Sequence, residues 1–401
     1  MRFIHSLLIG LLVLSNLAFS QMTQKQIDEF FTKFNSADRS RITGLFSKHF
    51  LDAVPEAQLV KILDLFRDKY GNFERAVHKG GPKIEVLYEK ATMPGTINFD
   101  DDGKIAGLWF GSPVMKEDSY EKIKEELKAL NGIISICIRK NGNEFLSVNK
   151  NQSLAVGSTF KLFVLKTLVN NVKSGKMKWD DVARLNSKFK SIPSGMLQNW
   201  PDNEPVTLST LANMMISISD NTATDNLIGL LGSENIEKNS PESMKPFYMT
   251  NEIFRLKLGK DSAEINKYNK MDLVNKRKEL QTISILPVDS LDASKFVKPI
   301  HIEIEWLVST EELCKVIESL KGVKALSINS GLAEKERWNY VAFKGGSEPG
   351  VLNYTHLIQK SKDSDMYSIS ATINNPDDNV DKEKEFTTLV LRLIGLISKE
   401  K

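Results

Sequence analysis

The sequence has few cysteines, no excess of one charge sign and no long apolar run beyond its first residues. Two cysteines in 401 residues are too few for a disulfide framework or a cysteine-rich metal site. Lys and Arg total 54 against 51 Asp and Glu, which gives a formal net charge of +3. This near balance gives no electrostatic reason to expect nucleic acid or an anionic membrane surface as a partner.

The two cysteines stand in apolar stretches of different periodicity. Cys137 lies in the strand-like run GIISICIRK, and Cys314 lies in the helix-like run STEELCKVIESL. Both are expected to be buried and to behave as small hydrophobic side chains. The sequence leaves open whether they form a disulfide, because that depends on the distance between their Cα atoms.

The apolar run at the N-terminus has the pattern of a secretory signal peptide. Residues 1–20 combine Arg2, a run of apolar residues, and the small residues Ala18 and Ser20. The run is too short and wrongly flanked for a stop-transfer helix. We predict cleavage near Ser20, export to the periplasm or the medium, and no stable membrane anchor. The alternative is an N-terminal anchor helix that is retained.

Two domains are predicted after the signal peptide. Residues 21–114 begin with helical periodicity and continue with strand-like runs, which is typical of an α+β unit. This order resembles the nuclear-transport-factor-2-like cone fold. His49 and His78 stand alone in this segment, so we expect an accessory role for it and not a catalytic one. A polar connector at 112–119 leads into the second domain, residues 119–401.

Strands at both ends of the second domain and helices between them predict a sheet that both chain ends build around a helical part. The charged stretch 255–300 is expected to be less regular. Strands are predicted at 132–139, 144–148, 338–344, 351–359 and 366–374, and helices at 120–130, 159–174, 207–231, 309–321 and 382–398.

A serine three residues before a lysine occurs five times, and only Ser158 stands at the start of a strongly apolar helix. In the first turn of a helix, positions i and i+3 share a face, so Lys161 can reach the Ser158 hydroxyl. The helix N-terminus offers free N–H groups for an oxyanion, and burial lowers the pKa of a lysine so that it can act as a base. The alternative is a helix-capping serine with a solvated lysine.

Two further motifs follow along the chain. Ser219, Asp220 and Asn221 interrupt two apolar helices: Ser219 can relay a proton, Asn221 can hold a substrate carbonyl or position the lysine, and Asp220 can order the loop. Lys344 ends a strand that runs into Gly345, Gly346 and Ser347, where a substrate can lie against the backbone. Alternatively, the first motif is a turn with a helix cap, and the second is a glycine turn.

In this order the three motifs resemble the Ser-x-x-Lys, Ser-Asp-Asn and Lys-Thr-Gly set of class A serine β-lactamases and penicillin-binding proteins. The resemblance covers about residues 119–401 and implies an α/β domain with an antiparallel sheet and a helical subdomain. A cone-like domain placed before such a domain is similar to the clavulanic-acid-cluster type, which has weak esterase activity.

The resemblance implies a role for each matching residue. Ser158 is the nucleophile that becomes acylated, and Lys161 is its base. Ser219 passes a proton to the leaving group, Lys344 supplies electrostatic support, and Asn221 binds the substrate amide. Gly346 and Ser347 lie along the substrate, and the backbone N–H groups of Ser158 and Ser347 form the oxyanion hole.

The sequence departs from the family pattern in two places. Lys344-Gly345-Gly346 lacks the threonine hydroxyl that helps to hold a substrate carboxylate, and Ser347 is the nearest replacement. No Glu-x-x-Leu-Asn run exists between Ser219 and Lys344, and Glu252 is the one carboxylate near the expected place. The residue that would activate water for deacylation is therefore not identified, and efficient deacylation is in doubt.

The sequence thus predicts an exported serine hydrolase that needs no metal or cofactor. It forms an acyl-enzyme on Ser158 with a small β-lactam, amide or ester, or with a peptidoglycan-like substrate. Two alternatives stay open: a penicillin-binding-protein-like D,D-peptidase or transpeptidase, and a β-lactam or cell-wall sensor that binds without turnover.

Overall fold

A computed structural model of the protein describes residues 10–11, 24–34, 40–111, 113–130, 132–283, 296–377 and 379–400. Apart from Gly10 and Leu11, the predicted signal peptide lies outside these residues. The chain forms two compact units. One contains the described residues up to Ile123 together with Thr388–Glu400, and the other contains Lys124–Thr387.

After a two-residue strand at Gly10–Leu11, the first unit consists of helices followed by the other strands of an antiparallel sheet. Its helices are α1 (Gln24–Phe34), α2 (Ser40–Thr43), α3 (Lys48–Ala53) and α4 (Glu56–Tyr70). Its strands are β1 (Gly10–Leu11), β2 (Phe73–Gly80), β3 (Lys83–Tyr88), β4 (Ala91–Phe99), β5 (Ile105–Phe110) and β6 (Val114–Met115). The order along the sheet is β1-β5-β4-β3-β2, and β6 pairs with β4. The helix-then-sheet order agrees with the sequence pattern, and the resemblance to a cone fold stays a prediction.

The second unit is built on a five-stranded antiparallel sheet in the order β13-β14-β15-β7-β8. The prediction of an antiparallel sheet that contains early and late strands is therefore confirmed. The strands of the unit are β7 (Ile133–Lys140), β8 (Asn143–Val148), β9 (Leu154–Ala155), β10 (Val182–Arg184), β11 (Pro205–Thr207), β12 (Leu307–Val308), β13 (Tyr340–Glu348), β14 (Val351–Gln359) and β15 (Met366–Asn374).

Most helices of this part of the chain lie between the early and the late strands, while α5 precedes β7 and α14 follows β15. They are α5 (Tyr120–Ala129), α6 (Lys161–Lys173), α7 (Leu208–Ser217), α8 (Asn221–Leu231), α9 (Ser233–Glu237), α10 (Thr250–Gly259), α11 (Ser262–Asn269), α12 (Leu273–Ile283), α13 (Thr310–Ser319) and α14 (Val380–Ile397). Both α5 and α14 contain a boundary between the two units. Within the described ranges, no helix combines the length and apolarity needed to cross a bilayer.

The expectation of a less regular stretch at 255–300 is wrong for residues 255–283, because α10 extends into them and is followed by α11 and α12, whereas the described residues 296–300 form neither helix nor strand. Many charged residues hide the apolar faces of these helices in the sequence, yet Leu256, Ile265 and Leu280 are buried. The side chain of Asp261 caps α11 by accepting hydrogen bonds from two backbone N–H groups. Local capping and a narrow apolar face are enough to form these helices.

The start of α6 is part of the core of the second unit. Phe160 and Trp306 are both buried, and their rings stack with centroids 3.5 Å apart. Cys137 and Cys314 are buried as expected, and both are free thiols. The Cys314 thiol donates to the Cys137 carbonyl oxygen at 3.3 Å. Both cysteines therefore contribute to packing between β7 and α13.

Candidate active site

Ser158 lies on a single 3-10 turn, Gly157–Phe160, between β9 and α6. Gly157 has a φ of +50°, in the left-handed region that favours glycine. Ser158 does not cap the helix: Phe160 holds the cap position of α6 and Val156 that of the 3-10 turn, both without a side-chain hydrogen bond. Among the described residues, no hydrogen bond of the Ser158 hydroxyl is found, and the side chain is half-buried. The serine is thus held by its backbone and has a free hydroxyl.

Lys161 is fully buried, which removes the alternative of a solvated lysine. Its Nζ donates to the Ser219 carbonyl oxygen at 2.7 Å, to Ser219 Oγ at 3.1 Å and to Asn221 Oδ1 at 2.7 Å. These hydrogen bonds go to the 219–221 loop and not to the Ser158 hydroxyl. Burial, and then the nearby charge of Lys344, place the pKa of Lys161 well below its ordinary value of 10.5.

Lys344 approaches the same serine from the sheet. Its Nζ donates to Ser219 Oγ at 3.1 Å and to the Gly345 carbonyl oxygen at 2.5 Å. Burial lowers the pKa of Lys344 to about 7. Two ammonium groups this close repel each other, so one neutral amine is favoured. The Ser219 hydroxyl can then accept a proton from one nitrogen and donate to the other.

The 219–221 loop is held by hydrogen bonds on both sides. Ser219 has a φ of +60°, which costs about 1–3 kcal/mol for a residue other than glycine. Asp220 Oδ2 accepts from the N–H groups of Met196 and Leu197, and its Oδ1 accepts from Ala223 as the cap of α8. Asp220 therefore both caps a helix and orders the loop. The sequence had suggested these two roles as alternatives.

Asn221 uses both ends of its amide inside the protein. Its Oδ1 accepts from Lys161, and its Nδ2 donates to the Ile192 carbonyl oxygen at 2.8 Å. Of the two roles considered for this residue, the observed contacts are those of a residue that positions the lysine. They leave the binding of a substrate amide as a prediction.

Sequence reasoning missed the segment 191–200, which supports the loop from outside. A Cβ on Gly195 would lie 2.3 Å from the Asp220 carboxyl group, and Gly195 has a φ of +109°. The Ser194 carbonyl oxygen accepts from the Asn221 N–H at 2.9 Å. Pro193 and Gly195 mark a turn in the sequence, but nothing in that pattern connects it to a motif 25 residues later.

The predicted oxyanion hole lies where β13 meets the turn of Ser158. A Cβ on Gly346 would lie 1.9 Å from the Val156 carbonyl oxygen and 2.8 Å from the Ser158 nitrogen. A Cβ on Gly157 would lie 3.0 Å from the Ser347 nitrogen. The two backbones approach this closely because both positions are glycine. The backbone nitrogens of Ser158 and Ser347 therefore both lie where β13 contacts the turn of Ser158.

Glu252, considered for water activation, is engaged elsewhere. Its carboxylate accepts from the Met249 N–H at 2.7 Å at the start of α10, and burial raises its pKa to about 7. Asp225 accepts from the N–H groups of Thr250 and Asn251, and burial also raises its pKa to about 7. Among the described residues, no hydrogen bond joins either carboxyl group to Ser158.

Comparison with known proteins identifies a family for part of the chain. Residues 118–272 match the model of the beta-lactamase enzyme family. This segment therefore carries a beta-lactamase-family domain. The match covers less than half of the chain, includes Ser158, Lys161, Ser219 and Asn221, and ends before Lys344. The search of curated proteins finds none that matches.

Solved structures similar to the chain include two β-lactamases. The enzyme of Sphaerobacter thermophilus is 18% identical, with 70% of this chain and 99% of that chain covered at a TM-score of 0.47. The chromosome-encoded enzyme of Vibrio parahaemolyticus is 14% identical, with 70% and 99% covered at a TM-score of 0.48. PBP-A is 12% identical, with 68% and 94% covered at a TM-score of 0.44.

Proposed function

We propose that the protein is an exported serine hydrolase that forms an acyl-enzyme on Ser158 with ester, amide or β-lactam substrates. The observation that carries the proposal is the Ser219 hydroxyl, which lies 3.1 Å from the nitrogens of both Lys161 and Lys344. A hydroxyl between two buried amines can move a proton in either direction. The beta-lactamase-family match over 118–272 supports the same reaction class.

The proposed acylation passes one proton from Ser158 to the leaving group and returns Lys161 and Ser219 to their starting states. The neutral amine of Lys161 takes the proton of the Ser158 hydroxyl, and Ser158 Oγ attacks the substrate carbonyl carbon. The N–H groups of Ser158 and Ser347 stabilise the negative oxygen that forms. As the intermediate collapses, Ser219 gives its proton to the leaving group and regains one from the Lys161 ammonium.

Covalent labelling tests the nucleophile. A fluorescent penicillin or a fluorophosphonate is expected to add to Ser158 in the parent, with the adduct located by mass spectrometry. Ser158→Ala should abolish labelling. Ser187→Ala is the matched control because Ser187 also precedes a lysine by three residues and is exposed. If Ser158→Ala labels as well as the parent, the assignment fails.

A penicillin-binding-protein-like D,D-peptidase is a second candidate, and the contacts of Glu252 favour it. That carboxylate binds the Met249 N–H, and no other residue has been identified that would activate the deacylating water. Slow release of penicillin with release of D-alanine from a peptide would support this candidate. Rapid hydrolysis of nitrocefin would exclude it. Catalytic hydrolysis of p-nitrophenyl esters that Lys161→Ala abolishes would exclude a sensor without turnover.

A further inference from the structure

An aromatic ring occupies the space over Gly345, where the family pattern has a hydroxyl side chain. Phe343 and Gly345 share one face of β13, because side chains alternate along a strand. A Cβ on Gly345 would lie 2.7 Å from the Phe343 ring. The ring also covers Gly331, where a Cβ would lie 2.5 Å from it, and it packs on His356 with centroids 4.5 Å apart. Phe343 is therefore fixed over position 345.

Lys344, the residue between Phe343 and Gly345 on β13, is not free to bind a carboxylate. Lys344 is 3% exposed, and its Nζ donates to Ser219 and to the carbonyl oxygen of Gly345. A substrate carboxylate would have to displace these hydrogen bonds and bring a second desolvated charge into the site.

The neighbouring strand supplies no substitute cation at this level. Opposite Phe343 to Gly346 on β14 stand His356, Thr355, Tyr354 and Asn353. Burial lowers the pKa of His356 to about 3, so its ring is neutral, and its Nε2 accepts from the Leu332 N–H at 3.1 Å. The β14 residues opposite this part of β13 are therefore uncharged.

Exposed aliphatic side chains lie next to residues that hold the 219–221 loop. Met196 is 49% exposed, and its N–H donates to Asp220. Ile218 is 47% exposed and directly precedes Ser219. Ile328 is 53% exposed, and its neighbour Asn329 donates to the Ser217 carbonyl oxygen at 3.2 Å. Exposed aliphatic groups on the segments that adjoin this loop are suited to an apolar ligand.

We propose that the site selects esters or amides with an uncharged, apolar leaving group, and that Phe343 determines this selectivity by covering the carboxylate-binding position at Gly345. The inference rests on the proposed function, since it concerns the substrate of the Ser158 acyl-enzyme. It therefore predicts that penicillins and D-alanyl peptides, which carry a carboxylate on the leaving-group side, acylate Ser158 more slowly than a neutral ester or a fluorophosphonate does.

Two esters that differ in one group test the proposal. The phenyl and 3-carboxyphenyl esters of phenylacetylglycine share the acyl group and have leaving groups of the same shape apart from the carboxylate. We expect kcat/KM to be about tenfold or more higher for the phenyl ester, because the carboxylate would be desolvated without a partner. An equal or higher kcat/KM for the 3-carboxyphenyl ester would overturn the proposal.

Variants test the role of Phe343. Phe343→Ala with Gly345→Thr removes the ring and adds a hydroxyl, and it should shift the kcat/KM ratio about tenfold toward the 3-carboxyphenyl ester. Phe343→Leu keeps an apolar side chain without a ring and should shift the ratio in the same direction by a smaller factor. This single variant tests the proposal even if the double variant does not fold. Phe145→Ala, at the opposite edge of the sheet, is the control and should leave the ratio unchanged.

The two proposals fail in different ways. If neither ester acylates Ser158, as judged by intact mass, the proposed function itself is wrong. If both esters acylate Ser158 and the ratio is the same in the parent, in Phe343→Leu and in the double variant, only the selectivity proposal is wrong.

Discussion

At the residue scale, burial gives two lysines their chemistry. Lys161 and Lys344 are both buried, and both bind the Ser219 hydroxyl at 3.1 Å. A buried ammonium is poorly solvated, so each lysine loses its proton more readily than in water. The same burial costs stability, because the unfolded chain holds the proton more tightly than the folded protein does. These residues are therefore expected to favour activity at the expense of stability.

Replacing Lys344 with methionine should stabilise the protein most at low pH. The pKa of Lys344 falls from 10.5 to about 7 on burial, so the parent gains stability as pH rises from 7 toward 10.5 and carries the full cost below 7. The gain in unfolding free energy from Lys344→Met should be about 2 kcal/mol larger near pH 6 than near pH 9.

Urea unfolding at the two pH values measures this difference. Lys176→Met, at an exposed position, is the control and should show little change at either pH. A gain from Lys344→Met that is the same at both pH values would contradict the role given to burial. Acylation of Ser158 should fall in the same variant.

At the element scale, polar side chains fix the turn of Ser158 to the sheet. Thr159 Oγ1 donates to Asn353 Oδ1 at 2.9 Å, and Asn353 Nδ2 donates to Thr372 Oγ1 at 2.8 Å, all of them buried. The side chain of Asn374 bonds both the N–H and the carbonyl oxygen of Ala155. These contacts bring β14, β15 and the turn into one rigid arrangement, which preorganises the N–H groups near Ser158.

Gly346→Ala should disrupt the contact between β13 and this turn. The new Cβ would lie 1.9 Å from the Val156 carbonyl oxygen, so one backbone must move away. We expect acylation of Ser158 to slow by roughly 100-fold, as for the loss of one oxyanion donor. Gly259→Ala is the matched control, since a Cβ there meets nothing within 4 Å. Equal acylation rates in both variants would argue against an oxyanion hole at this contact.

At the scale of the whole molecule, the two ends of the chain complete the same structures. Strand β7 pairs with β15, which lies more than 200 residues later in the sequence. In the other unit, Arg392 near the C-terminus forms a two-pronged ion pair with Asp118, with N–O distances of 2.6 and 2.8 Å. The Asp118 side chain is 2% exposed, so the ion pair is shielded from water.

Arg392→Met should therefore destabilise the unit that contains the N-terminal sheet. An uncompensated buried carboxylate costs about 3 kcal/mol or more, and hydrogen exchange in β2–β5 should speed up accordingly. Arg337→Met is the control, because its ion pair with Glu334 is 3.6 Å long and partly exposed. Adding Asp118→Leu to Arg392→Met should restore most of the stability. If Arg392→Met with Asp118→Leu is no more stable than Arg392→Met alone, the loss of stability does not come from leaving the Asp118 carboxylate buried without Arg392.

The sequence located the regular elements well where local patterns were strong. The predictions of strands at 351–359 and 366–374 are confirmed at both ends. The strand predicted at 338–344 extends to Glu348, because pairing with β14 holds Gly345 and Gly346 in the ladder despite their low strand propensity. The helices after residue 255 were missed because their apolar faces are narrow.

The site was predictable only in part. The order and residue types of the three motifs indicated which side chains to examine, and their roles stay predictions. Neither the Gly195 contact with Asp220 nor the position of the Phe343 ring over Gly345 follows from a motif. Both depend on segments that are distant in sequence and meet only in the fold.

By itself, the sequence determined the elements and the residue types available for chemistry, because capping and periodicity are local properties. The tertiary structure decided which of the four serine–lysine pairs that it describes has a buried lysine, since burial depends on what packs around the side chain. It also decided that Ser219 lies between two amines and that a ring covers Gly345. These facts come from packing between segments that are distant in sequence. That packing sets the distances between the side chains of the site and their exposure to water, and therefore the pKa values of the two lysines.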